Sequence, residues 1–373
     1  MNKRKNLLFS IISAGVGLGI FLALIFVRGV IFGERFIIPA LVVFAGSILS
    51  IFVITLFHEF GHLIAGKIAG FKFVSITVWF FSIRRVGKNL KFSFTSFPEA
   101  SGVTEMIPTS TNNLKKKFAV LSRGGIIANL ILMAISVLPI VFTNFTGYLL
   151  CLVCPLFPLT VYMILDNLLP TDRGGIRNDG GVLYGLRKND ADSKVLLNIL
   201  TIQAELYLGK TYSEIDERLY FDVPQLCEEN PNFINISNLR YCYYIDKGDF
   251  ESAKSVLHRI LPLVENLPND LYHYLLTEEL YSVCTFDFNE KRADELMYEL
   301  EKYLNNKNSV ENVRTKFAYL TYVLKNSDNL EMFYKKGVRE AKRLNVAGCT
   351  KFEIKLLDKI NLDAEKLNEN VEQ

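Results

Sequence analysis

The chain has 373 residues, half of them apolar and 22% charged, with a formal net charge of +3. That length suits two or three domains, and the weak net charge, with no RNA- or DNA-binding motif, excludes nucleic acid as a partner. Long apolar runs fill the first ~170 residues, and the remainder is rich in Lys, Glu, Asp and Tyr.

A membrane-crossing helix needs about 20 consecutive apolar residues. In chain order, residues 7–27, 36–57, 118–142 and 147–165 meet or approach that. The first run follows Lys3, Arg4 and Lys5, but it exceeds an ordinary signal core and lacks a small-residue cleavage site. Residues 1–35 therefore read as an uncleaved N-terminal membrane anchor. Basic residues collect at the N-terminus and between the second and third runs, at Lys72, Arg84, Arg85, Lys88, Lys91, Lys115, Lys116 and Lys117. Cytoplasmic loops are enriched in Lys and Arg. The expectation is a multi-pass protein of the cell membrane with four crossings and both termini in the cytoplasm.

The second run ends in His58-Glu59-Phe60-Gly61-His62. Residues four apart share a helix face, so the two imidazoles can grip one metal ion while Glu59 acts as general base, the logic of an HExxH zinc site. Bound zinc lowers the pKa of its water to about 7. Ionisable groups at a membrane border cost several kcal/mol unless they face a cavity or a ligand, which favours a metal over a chance pattern. Gly61 is expected to leave space beside the ion, and Ala65 and Gly66 to admit a neighbouring helix. One zinc per chain is expected, with a third protein ligand still to be found.

The stretch after the fourth run supplies that ligand by resemblance. Asn167, Leu168, Leu169 and Pro170 are followed by Asn178, Asp179, Gly180 and Gly181. Together with HExxH, this resembles the site-2 protease family of intramembrane zinc metalloproteases, in which an N-x-x-P segment precedes a D-G aspartate ligand. The third run adds Gly124, Gly125, Ile126, Ile127, Ala128 and Asn129, similar to a further motif of that family. The resemblance covers roughly residues 36–190, and residues 36–192 are read as the intramembrane zinc protease core. It implies His58, His62 and Asp179 as metal ligands, Glu59 as catalytic base, and Asn129 and Asn167 as groups that orient the substrate or steady an oxyanion. The spacing from Asn167 to Asp179 is longer than is common in the family, and the insert brings in Asp172 as a competing carboxylate that can instead pair with Arg173 or Arg177.

Between the second and third runs, residues 71–83 and 90–97 are rich in aromatic and β-branched side chains. They read as a β-hairpin turning at Val86-Gly87-Lys88-Asn89; in relatives, strands near this place are thought to pair with an extended substrate. Trp79 and its neighbours equally suit an interfacial belt. Cys151 and Cys154 form a CxxC inside an apolar run and read as small apolar residues of a membrane helix. The other four cysteines are scattered through the tail, which suits a reducing compartment.

Residues 193–373 read as a cytosolic helical-repeat domain. Polar turns fall near Lys247-Gly248-Asp249, Asp287-Phe288-Asn289 and Asn326-Ser327-Asp328, and Ala253 and Ala293 take similar places in the helices that follow. The period is close to that of tetratricopeptide-like helix pairs. Such pairs build concave surfaces for partner proteins. The fold class is therefore mainly α: a multi-pass membrane core with a short β-hairpin, then an α-helical repeat domain. The expected function is hydrolysis of a peptide bond in a transmembrane protein or membrane-bound peptide near the cytoplasmic face, with a cytosolic protein partner for the tail. The alternative is a non-proteolytic membrane scaffold that works through the tail.

Overall fold

The structure, a computed structural model, describes residues 3–27, 37–95, 101–142, 147–173, 176–266, 269–306, 309–325 and 329–371. The chain is mainly helical with a small antiparallel sheet. It divides into two compact units. One is built from the chain up to Lys194; the other takes the chain from Val195 onward, with the short stretches Arg85–Leu90 and Pro108–Thr111.

The first unit holds helices α1 (Lys3–Val27) and α2 (Ile37–Ile68), strands β1 (Phe71–Val78), β2 (Phe81–Val86), β3 (Asn89–Phe94) and β4 (Gly102–Pro108), then α3 (Leu114–Phe142), α4 (Gly147–Val153) and α5 (Leu156–Leu168). A short antiparallel pair, β5 (Asp172–Arg173) and β6 (Ile176–Arg177), leads into α6 (Asp179–Lys188). Among the described residues, three helical segments are long and apolar enough to cross a membrane: Ile37–Ile68, Leu114–Leu138 and Tyr148–Leu168. The apolar part of α1 among the described residues, Leu7–Ala23, is shorter. The expected fourth span is not one continuous helix, because it breaks between α4 and α5 at Cys154-Pro155. Proline lacks the N–H and clashes with the preceding turn.

The helix α2 is patterned inside out. Its buried positions are Gly46, Ser50, Ile54, Thr55, His58, Glu59, Gly61, His62 and Gly66, whereas Leu41, Phe44, Ile48, Leu49, Phe57, Phe60 and Ile64 face outward. Small and polar residues turned inward and large apolar ones outward suit a helix whose solvent is lipid. The tightest crossing is with α3. A Cβ added at Gly61 would run into the Gly124 carbonyl, and one at Gly124 into the Gly61 carbonyl, so the two backbones touch here.

The sheet order is β3-β2-β1-β4. The expected turn at 86–89 is present between β2 and β3, but residues 71–83 are not one strand. They fold back on themselves at Trp79-Phe80, pairing Val78 with Phe81 and Ser75 with Arg84. Trp79 takes a φ of +54° there, uncommon for a bulky residue. Its ring meets Phe52 of α2 edge-on at 5.4 Å, and its main-chain N–H donates to the Ser101 carbonyl. Residues 96 and 97, read as part of a strand, lie outside the described residues. The fourth strand, β4, has no counterpart in the sequence reading.

The second unit is helical: α7 (Ala191–Tyr207, entering from the first unit), α8 (Arg218–Phe221), α9 (Pro231–Lys247), α10 (Phe250–Ile260), α11 (Asn269–Thr285), α12 (Glu290–Asn306), α13 (Val310–Ala318), α14 (Leu330–Ala341) and α15 (Ala347–Val371). From α9 onward consecutive helices pack around a core that includes Leu257, Leu280, Leu296, Leu300 and Phe317, and a second, smaller core with Val195, Ile202 and Tyr220 joins α7, α8 and α9. Two of the anticipated turns separate α9 from α10 and α11 from α12. Gly248 has a φ of +82° at the first, as a helix C-cap glycine commonly does. The third, residues 326–328, lies outside the described residues. Ala253 and Ala293 are fully buried. All six cysteines are free, with Cys151 and Cys154 buried in the apolar unit.

Candidate metal centre and catalytic base

Two helical segments far apart in sequence bring three donor atoms together. His58 and His62, one turn apart on the buried face of α2, place their Nε2 atoms 3.1 Å from each other. Asp179 opens α6 and points Oδ2 at both, 3.3 Å from His58 Nε2 and 3.4 Å from His62 Nε2. All three ligand atoms lie within 4.8 Å of one another. Asp179 Oδ2 is buried and accepts no hydrogen bond. A buried acceptor left unsatisfied is costly, and a cation between the three donors removes that cost. Two imidazoles and one carboxylate are a zinc donor set that keeps a fourth position open. The residues fit the metal.

The segment carrying Asp179 is held by its neighbour. Asn178 caps α6, and its Oδ1 accepts from Gly181 N at 2.8 Å and Thr171 N at 3.0 Å. Its Nδ2 donates to the Leu169 carbonyl at 2.7 Å and to the Asp166 carbonyl. One amide thus ties the end of α5 to the start of α6. Between them lie the paired strands β5 and β6, where Asp172 stands opposite Arg177. Arg177 Nε donates to Asp172 at 3.0 Å, and its Nη1 reaches Asp190 at 2.9 Å and Asp192 at 3.3 Å. Asp172 is held by Arg177, away from the imidazoles, and Asp179 is the carboxylate that meets them.

Glu59 follows His58 on α2 and is 5% exposed. Its partner is Thr104 of β4, whose hydroxyl donates to Oε2 at 2.6 Å. Gly102, two residues earlier and on the same face of the strand, lies so close that a Cβ would stand 2.6 Å from Glu59 Oε1. Strand β4 therefore covers the base, and the hairpin read from the sequence is not the element that touches it.

Asn129 is fully buried, and its amide lies 3.2 Å from His58 Nδ1. Asn167 turns its amide back along α5, donating to the Met163 carbonyl at 3.0 Å. The space beside the metal donors is kept by Gly125 rather than Gly61: a Cβ on Gly125 would lie 2.6 Å from both His58 Nε2 and His62 Nε2. Gly61 serves the crossing with α3. Sequence reasoning missed Thr104 and Gly102, and named Asn178 beside Asp179 without giving it a role. Gly125 was present in the third-run motif, where its position beside Asn129 was the available signal. In the tail, His258 is half-exposed near Asp287, and His273 stacks on Tyr303; neither joins the cluster.

The family model described as Peptidase family M50 matches residues 46–351, most of the chain and the whole of this site. No curated protein and no solved structure matches.

Proposed function

The chain belongs to peptidase family M50, the site-2 protease family, and from that premise we propose that this membrane metalloprotease is an intramembrane zinc endopeptidase. His58, His62 and Asp179 would hold one zinc ion. Zinc supplies a Lewis acid and a nucleophilic water at neutral pH. Glu59 takes the proton of the attacking water and returns it to the departing amine. Its Oε2 is tied to Thr104, which leaves Oε1 for that exchange. Strand β4 is an outer strand of the sheet and lies against Glu59. A peptide bond must leave its helical hydrogen bonds before it can be attacked, and the outer edge of β4 offers replacements.

The substrate class is a membrane-embedded segment cut near the cytoplasmic face, in regulated proteolysis or in processing of a peptide precursor. Support comes from the position of HExxH near the end of α2 that leads into the basic segment between the second and third apolar runs, and from the apolar outer surface of that helix. With α1 counted as a fourth crossing beside the three longer spans, the distribution of Lys and Arg argues for both termini in the cytoplasm. The tail, read as tetratricopeptide-like pairs, would bind a cytosolic protein. The observation that carries the reading is the meeting of His58, His62 and Asp179 beside Glu59. Its test is the zinc content of the detergent-purified chain, with cleavage of a membrane-embedded reporter. About one zinc per chain, lost in Asp179→Ala and kept in Asp172→Ala, with cleavage abolished by Glu59→Gln, is expected. A folded wild type that stays metal-free after zinc loading overturns it.

A further inference from the structure

Leu121, Gly125 and Asn129 follow one another at four-residue intervals on α3, so they share one face. That face meets both histidines. The Leu121 carbonyl lies 2.9 Å from His62 Nδ1. A carbonyl only accepts, so this nitrogen carries the proton and His62 Nε2 keeps its lone pair. Gly125 stands over the two Nε2 atoms. Asn129 faces His58 Nδ1 at 3.2 Å.

The amide of Asn129 has two ends of nearly equal shape and opposite hydrogen-bonding sense. With Nδ2 toward the ring, His58 Nδ1 must accept, and the proton sits on Nε2, the atom aimed at Asp179. Either way the far end of the amide is buried without a partner, so the chemistry of the ring decides between the two orientations. With the amide turned over, Oδ1 accepts from Nδ1–H and Nε2 presents a lone pair beside that of His62. Only the second arrangement lets both histidines act as ligands.

We propose that Asn129 is a positioning residue for the metal: its side-chain oxygen accepts the Nδ1 proton of His58 and fixes the tautomer that offers Nε2 to the ion. The Leu121 carbonyl does the same for His62, two turns earlier on the same helix face. Metal-bound histidines commonly donate their second nitrogen in this way, and loss of such a partner costs about 10–100-fold in metal affinity. This assignment rests on the zinc reading above and gives Asn129 a role other than steadying an oxyanion, for which an amide must donate.

The test compares the full-length wild type with Asn129→Asp, which keeps an acceptor and loses the donor, and Asn129→Leu, which keeps the volume and loses both. Zinc retention is titrated against a chelator, and the melting temperature of each metal-free protein is recorded. Wild type and Asn129→Asp are expected to retain zinc about equally, and Asn129→Leu to release it at ~10–100-fold lower chelator strength, with similar metal-free melting. Leu retaining wild-type affinity, or Asp weakening as much as Leu, overturns the assignment. Should Asn129→Leu fail to fold, affinity in Asn129→Asp well below wild type overturns it alone. A metal-free wild type would refute the zinc reading itself, which the wild-type arm shows separately.

Discussion

Thr104 donates its hydroxyl to Oε2 of Glu59 at 2.6 Å, across 45 positions of sequence. The same hydroxyl lies 3.1 Å from the Glu59 main-chain carbonyl. A threonine on a strand thereby fixes both the side chain and the local backbone of the proposed base. Only one carboxylate oxygen is tied, and the other faces a residue with no side chain.

A hydrogen bond to a charged group is worth about 1.5–3 kcal/mol. Thr104→Val keeps the shape and removes the donor, and is expected to lower kcat by ~10–100-fold with KM and zinc content unchanged. Thr104→Ser should restore most of the rate. Steady-state cleavage of a reconstituted substrate checks this, and a fully active valine variant would show that the tie has no part in catalysis.

Gly125→Ala places a methyl among the donor atoms, with no flexible neighbour to give way. The variant is expected to fold, by circular dichroism, and to hold little zinc. Gly19→Ala is the control, since a Cβ there meets nothing within 4 Å. Equal zinc in both variants would show that the space at position 125 is not needed for the ion.

In the tail, Arg314 is buried between Glu278 at 2.6 Å and Glu353 at 2.9 Å, with its guanidinium 4.1 Å from the Tyr281 ring. One cation faces two carboxylates, and burial pushes the Glu353 carboxyl up from 4.5 to about 8. The folded state then binds this proton more tightly than the unfolded state. Its contribution is complete below 4.5 and is lost as pH rises through about 8. Protection of α11, α13 and α15 in the full chain should fall between those limits, measured by hydrogen exchange corrected for the intrinsic rate. Glu353→Gln should flatten the dependence; an unchanged slope would assign it to another group.

The histidines and Glu59 were legible because their spacing is local: a four-residue interval on one helix needs no knowledge of the rest of the chain. Asp179 was legible through its motif, whereas the pairing that occupies Asp172 was open between Arg173 and Arg177, and the fold gives it to Arg177. Strand β4 was not legible, since what gives Gly102 and Thr104 meaning is a helix some forty residues earlier. The turn at Trp79-Phe80 was hidden for a different reason. It contains no Gly, Pro, Asn or Asp, and tertiary contacts from Phe52 and Ser101 stand in for turn chemistry. The break at Pro155 follows a residue type visible in the sequence, but hydropathy averages over it.

The hairpin between α5 and α6 has an evolutionary consequence. Because the Asn178 amide closes the loop at both ends, the chain between those ends can lengthen or shorten without displacing the carboxylate that follows. A change in the number of residues between Asn167 and Asp179 is then expected to leave the Asp179 carboxylate in place. A pattern that fixes this count discards sequences shaped like this one, whereas a pattern anchored on a pinned loop retains them.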